Sequence, residues 1–170
     1  IQFDFYSNNI LPYRINAIIG KNGCGKTTLL AKIADKLTSY ENKGNNWYFN
    51  YRPNFSKVLT ISYSVFDKFK IPDSSHFSYQ YCWLRTKNNS IKTEQEQKEQ
   101  LEKDIEAIEN KQMIEIWKSL LAEISEEYID INNVHSFLDK LSSWQKILVI
   151  VFSEVLAHIE ENSLLLFDEP

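Results

Sequence analysis

Gly20-Lys21-Asn22-Gly23-Cys24-Gly25-Lys26-Thr27-Thr28 gathers three of the chain's four glycines into nine residues. Gly20, Gly25, Lys26 and Thr27 fill every fixed position of the phosphate-binding loop pattern GxxxxGK[ST]. In a glycine-poor chain such a concentration means that backbone must approach something bulky, at φ values a side chain forbids. Successive N–H groups there make a concave anion nest at the positive end of a helix. Lys26 can reach the β- and γ-phosphates, and the Thr27 hydroxyl can ligate Mg²⁺. The nucleotide-binding set is therefore Gly20, Asn22, Gly23, Cys24, Gly25, Lys26, Thr27 and Thr28, with ATP and Mg²⁺ as the expected cofactors. A glycine turn with no ligand would leave Lys26 and Thr27 unexplained. Cys24 reads as a small filler rather than a redox switch.

The second candidate is SLLLFDEP at residues 163–170. Four apolar residues mark a buried central strand of a parallel sheet. Asp168 then emerges at its C-terminal end, where α/β sheets bind ligands. It can hold the Mg²⁺ shell together with Thr27, and Glu169 can act as the catalytic base on the attacking water. Two acids after a strand are a weak signal alone and a strong one beside a phosphate loop.

The third is LSSWQKI at residues 141–147, where Trp144 stands in place of an expected small residue.

These three blocks, in this order, resemble an ABC-type ATPase head. The likeness is nearest to the soluble branch that includes the SMC, RecF and OLD-like ATPases. Ser142 lies 26 residues before Asp168, close to the spacing in that family. The resemblance implies two heads sandwiching two ATPs, with Ser142, Ser143 and Gln145 of one facing the γ-phosphate held by the other. Trp144 would occupy the place of a family glycine whose N–H faces the phosphate. Three readings stay open for its indole: packed on its own helix's apolar face, weakening the sandwich, or peculiar to this chain. No glutamine follows the strand where the family has its Q-loop, and Asp67 or Gln80 could serve. The switch histidine belongs after Pro170, and His158 reads instead as a helix C-terminal residue suited to the dipole.

The resemblance implies an ATP-driven dimerisation switch, a homodimer or higher homo-oligomer, acting on DNA or with a nuclease partner. The stretch from Ser142 to Pro170 narrows the likeness to OLD-like or Septu-type antiphage-defence ATPases. The alternatives are the nucleotide-binding subunit of an ABC transporter and a catalytically silent ATP-binding scaffold.

The elements that must position these residues can be read in outline. Residues 14–19 form a β-branched strand running into Gly20, and 26–37 form a helix with Leu29, Leu30, Ile33 and Leu37 at helical spacing. Residues 38–57 are polar and loop-like, with a turn at NKGNN. VLTISYSVF (58–66) is a strand, and 67–93 is irregular. Residues 93–128 repeat apolar positions every three or four, giving a helix about 50 Å long if unbroken. Its first half carries seven acids and two lysines between 94 and 109. That half is a solvated face or, on the sharper reading, an arm that docks a partner. A largely apolar helix, 144–161, starts at Ser142 or Ser143 as N-cap.

The fold class is α/β: a P-loop NTPase of the ABC-head type, with a mainly parallel sheet flanked by helices and a helical insertion at 94–128. Residues 1–170 make a single domain. The start at Ile1 and the stop at Pro170, straight after an apolar run, predict that its C-terminal part is missing. A net charge of −4 excludes a whole-surface electrostatic grip on nucleic acid. No apolar run approaches about 18 residues, so no membrane insertion is expected. Two cysteines without a framework suit a reducing cytoplasm.

Overall fold

The computed structural model describes residues 15–38, 53–62, 79–82, 92–125 and 133–168. Among them three strands form one parallel sheet: β1 (Lys57–Ser62), β2 (Tyr79–Cys82) and β3 (Ser163–Asp168), in the order β2-β1-β3. Helix α1 is Lys26–Thr38, α2 Glu94–Asn110, α3 Ile114–Ile124, α4 Val134–Lys140 and α5 Ser143–His158.

Strand alternation sorts the sheet's side chains between two helices. Val58, Tyr79, Tyr81, Leu164 and Leu166 face α1, where Leu30, Ala34 and Leu37 bury its apolar stripe. Leu59, Ile61, Cys82 and Leu165 face α5 and meet Ile147, Val151 and Val155. The layers are thus α1, sheet, α5. A fourth layer lies beyond α5: Leu101, Ile105 and Ile108 of α2, Trp117 and Leu121 of α3, and Phe137 and Leu138 of α4 pack on Val149 and Leu156. Helix α5 is buried on two sides, which explains why its sequence is apolar almost all round.

The expected single helix over 93–128 is two. Thr93 opens α2 with a capping box to Glu96. The helix ends in a Schellman turn: Gln112 adopts φ 58°, its N–H donates to Glu109 O and that of Met113 to Ile108 O. Met113 then packs on the same core as Ile108. No glycine marks this turn, so periodicity ran straight through it. The acidic positions of α2 stay largely outside while its apolar stripe packs on α5.

Three strand expectations change. Residues 15–20 pair with no strand among the described residues, and Ile15 and Ile19 are 74% and 94% exposed. Only Ile18 packs, on the α1 side; β-branched propensity does not make a strand without a ladder partner. Strand β2 lies inside the stretch read as irregular, being too short for periodicity to register. Finally, β1 and not β3 is central among the described strands: β1 is buried over Val58–Ser62, while Phe167 of β3 is exposed. Residues 63–66, the NKGNN turn and Asp67 lie outside the described residues.

Candidate nucleotide-binding site

The phosphate loop leaves residues 15–20 and enters α1 at Lys26. Gly23 and Gly25 have φ of +79° and +96°, which L side chains adopt only at a cost. Gly20 has a close neighbour instead of a positive φ. A Cβ there would sit 2.5 Å from Cys24 Sγ, so the cysteine side chain folds back over the glycine. This fits the filler reading of Cys24, whose thiol is exposed in the loop. A turn hydrogen bond from Cys24 N to Lys21 O (3.2 Å) closes the loop around Asn22. Lys26 Nζ donates to Gly20 O (3.1 Å) and Lys21 O (3.4 Å), which holds the ammonium across the loop. Thr27 and Thr28 follow in the first turn of α1.

Asp168 comes from the far end of the sequence. It ends β3, level with Ser62 of β1 in the register. Alternation turns it to the same face as Leu164 and Leu166, toward α1. There Thr27 Oγ1 donates to Asp168 Oδ1 at 3.1 Å. Asp168 is 2% exposed, so a buried carboxylate is matched to the helix that follows the phosphate loop. A hydroxyl and a carboxylate oxygen this far apart suit neighbouring corners of an octahedral Mg²⁺ shell with bonds of about 2.1 Å. Glu169, the expected base, lies outside the described residues.

The third block begins α5. Ser142 is the N-cap: its Oγ accepts from Gln145 N, and Gln145 Oε1 accepts from Ser142 N at 2.9 Å, a complete capping box. Gln145 Nε2 also donates to Ile124 O at 2.9 Å, which ties the start of α5 to the end of α3. Gln145 is therefore a strut as well as a cap. Ser142 and Ser143 are exposed, and the Ser142 O–H can still donate outward while its oxygen accepts. Trp144 is helical in the first turn, so it needs no glycine-like φ. Trp144 is 53% exposed, so it lies half-covered at the surface and not in the buried core.

Two further expectations are corrected. Gln80 sits in β2 and donates to Glu154 Oε1 of α5 at 2.9 Å. It therefore faces the side of the sheet opposite Thr27 and Asp168, which does not suit a Q-loop role. His158 ends α5 as expected, yet its basicity is lowered by burial and by Lys57 and Lys111 nearby. The helix C-terminus is served instead by those lysines. Lys57 Nζ donates to His158 O (3.0 Å) and pairs with Glu160, and Lys111 Nζ donates to Ile159 O (2.8 Å). A histidine ringed by two cations loses the charge that would suit the dipole.

The family model described as ABC transporter matches residues 4–170. Among curated proteins, Protein ea59 of Escherichia phage lambda is 26% identical over 223 aligned residues. That match takes in 100% of this chain and 42% of the phage protein, so the chain spans less than half the length of this relative. No solved structure matches the chain significantly.

Proposed function

The chain belongs to the ABC transporter family, and from that premise we propose that it is a MgATP-hydrolysing head that works as an ATP-driven dimerisation switch. In this reading Lys26 holds the β- and γ-phosphates, Thr27 and Asp168 hold Mg²⁺, and Glu169 activates the attacking water. When bound, Mg²⁺ would neutralise charge on the phosphates during transfer. Ser142 and Ser143, at the exposed N-terminus of α5, meet the γ-phosphate bound by a second copy. The observation that carries the reading is the Thr27–Asp168 hydrogen bond, which joins residues 141 positions apart.

DNA transactions or antiphage defence, with a nuclease partner, are the proposed setting. The support is the resemblance of the three motif blocks to the soluble OLD-like branch. The family's own name favours a second reading, the nucleotide-binding subunit of a transporter. Among the described residues no helix is long and apolar enough to cross a membrane.

The test is calorimetry with MgATP on the full chain and on Lys26→Ala. Loss of about 10²-fold or more in affinity is expected, because Lys26 is the cation held across the loop. Equal affinity in the two proteins would remove the nucleotide site.

A further inference from the structure

Helix α5 carries two successive polar residues in its buried middle. Ser153 is 0% exposed and Glu154 is 3% exposed, among Val149, Ile150, Val151 and Val155. Consecutive helical residues point about 100° apart, and these two reach opposite layers. Ser153 Oγ accepts from Trp117 Nε1 of α3 at 2.7 Å and donates to Val149 O at 2.6 Å. Glu154 Oε1 accepts from Gln80 Nε2 of β2 at 2.9 Å. Burying a carboxylate and an indole N–H there is costly, and apolar side chains of the same shape would stabilise the interface as well or better. Polar groups in such a place define one rotation and one axial position of a helix that apolar packing alone leaves free to slip.

We propose that Glu154 and Ser153 are positioning residues. They lock α5 between β2 and α3 and so fix where Ser142 stands for the nucleotide of the second copy. The inference rests on the proposed trans role of Ser142. Ser142 lies eleven residues before Ser153, about 16 Å along the helix. A small rotation or slide at Glu154 therefore moves the N-terminal N–H groups as a rigid body. The Gln145–Ile124 contact supports the same end from α3. On the sheet side the lock has a defined route to the cis site. Gln80 is in register with Leu59 of β1, and Ser62 of β1 is in register with Asp168. These positioning residues touch no nucleotide. Their loss should leave cis binding intact and slow the step that needs both heads, since a misplacement of about 1 Å can cost up to about 10²-fold.

The experiment uses the full chain and the variants Gln80→Met, Glu154→Met and the pair together. MgATP affinity is measured by calorimetry and ATPase turnover over a range of protein concentrations. The expected result is an MgATP Kd within about threefold of wild type in each variant. Turnover should fall about tenfold in each single variant and no further in the pair, as for residues that act through one contact. Turnover within about twofold of wild type in both single variants overturns the inference and leaves the nucleotide site standing. A wild-type chain that binds MgATP with turnover independent of protein concentration overturns the trans role of Ser142, and the inference with it. Should the Glu154 variant not fold, Trp117→Phe removes the other half of the lock gently. It should lower turnover about threefold at unchanged MgATP Kd, and unchanged turnover there overturns the inference equally.

Discussion

On the α1 side of the sheet, Thr27 and Asp168 already stand 3.1 Å apart, the carboxylate buried and matched to the hydroxyl. On the α5 side, Ser142 and Ser143 stand exposed at a helix start, with a half-exposed tryptophan beside them. The first arrangement is completed by contacts within one chain. The second is completed as a helix cap at an exposed helix start. The contrast fits the proposed divided site, in which the half that would hold the nucleotide is assembled internally and the half that would read the γ-phosphate is presented at a surface.

The largest expected effect concerns hydrolysis at the proposed nucleotide site. Glu169→Gln keeps the shape of the base and removes its proton affinity. Turnover in the full chain should fall by about 10²-fold or more while MgATP binding persists and the ATP-bound dimer accumulates. Steady-state ATPase assays and sedimentation in MgATP check this. A variant with wild-type turnover assigns the base elsewhere.

The next concerns energy stored on the α5 side. Asp104 of α2 is 2% exposed; its Oδ1 accepts from Gln100 at 2.9 Å and its Oδ2 has no hydrogen-bond partner among the described residues. Burial pushes its pKa up from 3.8 to about 6, with Gln100 opposing the shift. The folded state therefore prefers the protonated carboxyl. Below about pH 4 folded and unfolded chains are both protonated, so no penalty is felt. Between about pH 4 and 6 the unfolded chain ionises while the folded chain keeps its proton, so about 3 kcal/mol of stability is lost by about pH 6 and no more above it. Asp104→Asn should thus raise stability by up to about that amount at pH 7.5 and lose its advantage toward pH 4. Denaturant unfolding at the two pH values measures it, and an advantage independent of pH would contradict it.

The smallest effect separates packing from presentation. With its indole half-exposed, Trp144→Ala should change stability by less than about 1 kcal/mol. ATP-dependent dimerisation should survive, because the helix start presents its N–H groups whatever side chain follows. A dimer gained on Trp144→Gly, seen by sedimentation in saturating MgATP, would show instead that the indole obstructs the second copy.

The two sides were also unequally legible in the sequence. The phosphate loop could be read residue by residue, because its glycines and Lys26 answer to local backbone and charge rules. Asp168 could be read because four apolar residues place a strand and the acid marks its end. Harder to read were features set by partners distant in sequence. Strand β2 is four residues long and depends on β1 for its existence. The break at Gln112 is stabilised by Met113 and Ile108 meeting one core, without the glycine that usually announces such a turn. Residues 15–20 show the converse, with strong β propensity and no ladder among the described residues. The side chain of Trp144 stays open, and the charge of His158 was misread, for one reason. Helical position predicts which way a residue points, while the neighbours that bury or charge it come from other layers.

In the proposed mechanism the phosphate loop and the end of β3 form one cation-assisted nucleotide site. Calorimetry with ATP, with and without Mg²⁺, on the full chain and on Thr27→Ala, Asp168→Asn and the pair tests it most directly. Wild-type affinity should depend on Mg²⁺. Each single variant should lose most of that dependence, about tenfold or more, and the pair should lose little beyond either one. Asp168→Asn binding MgATP as tightly as wild type, with its Mg²⁺ dependence intact, would contradict the claim.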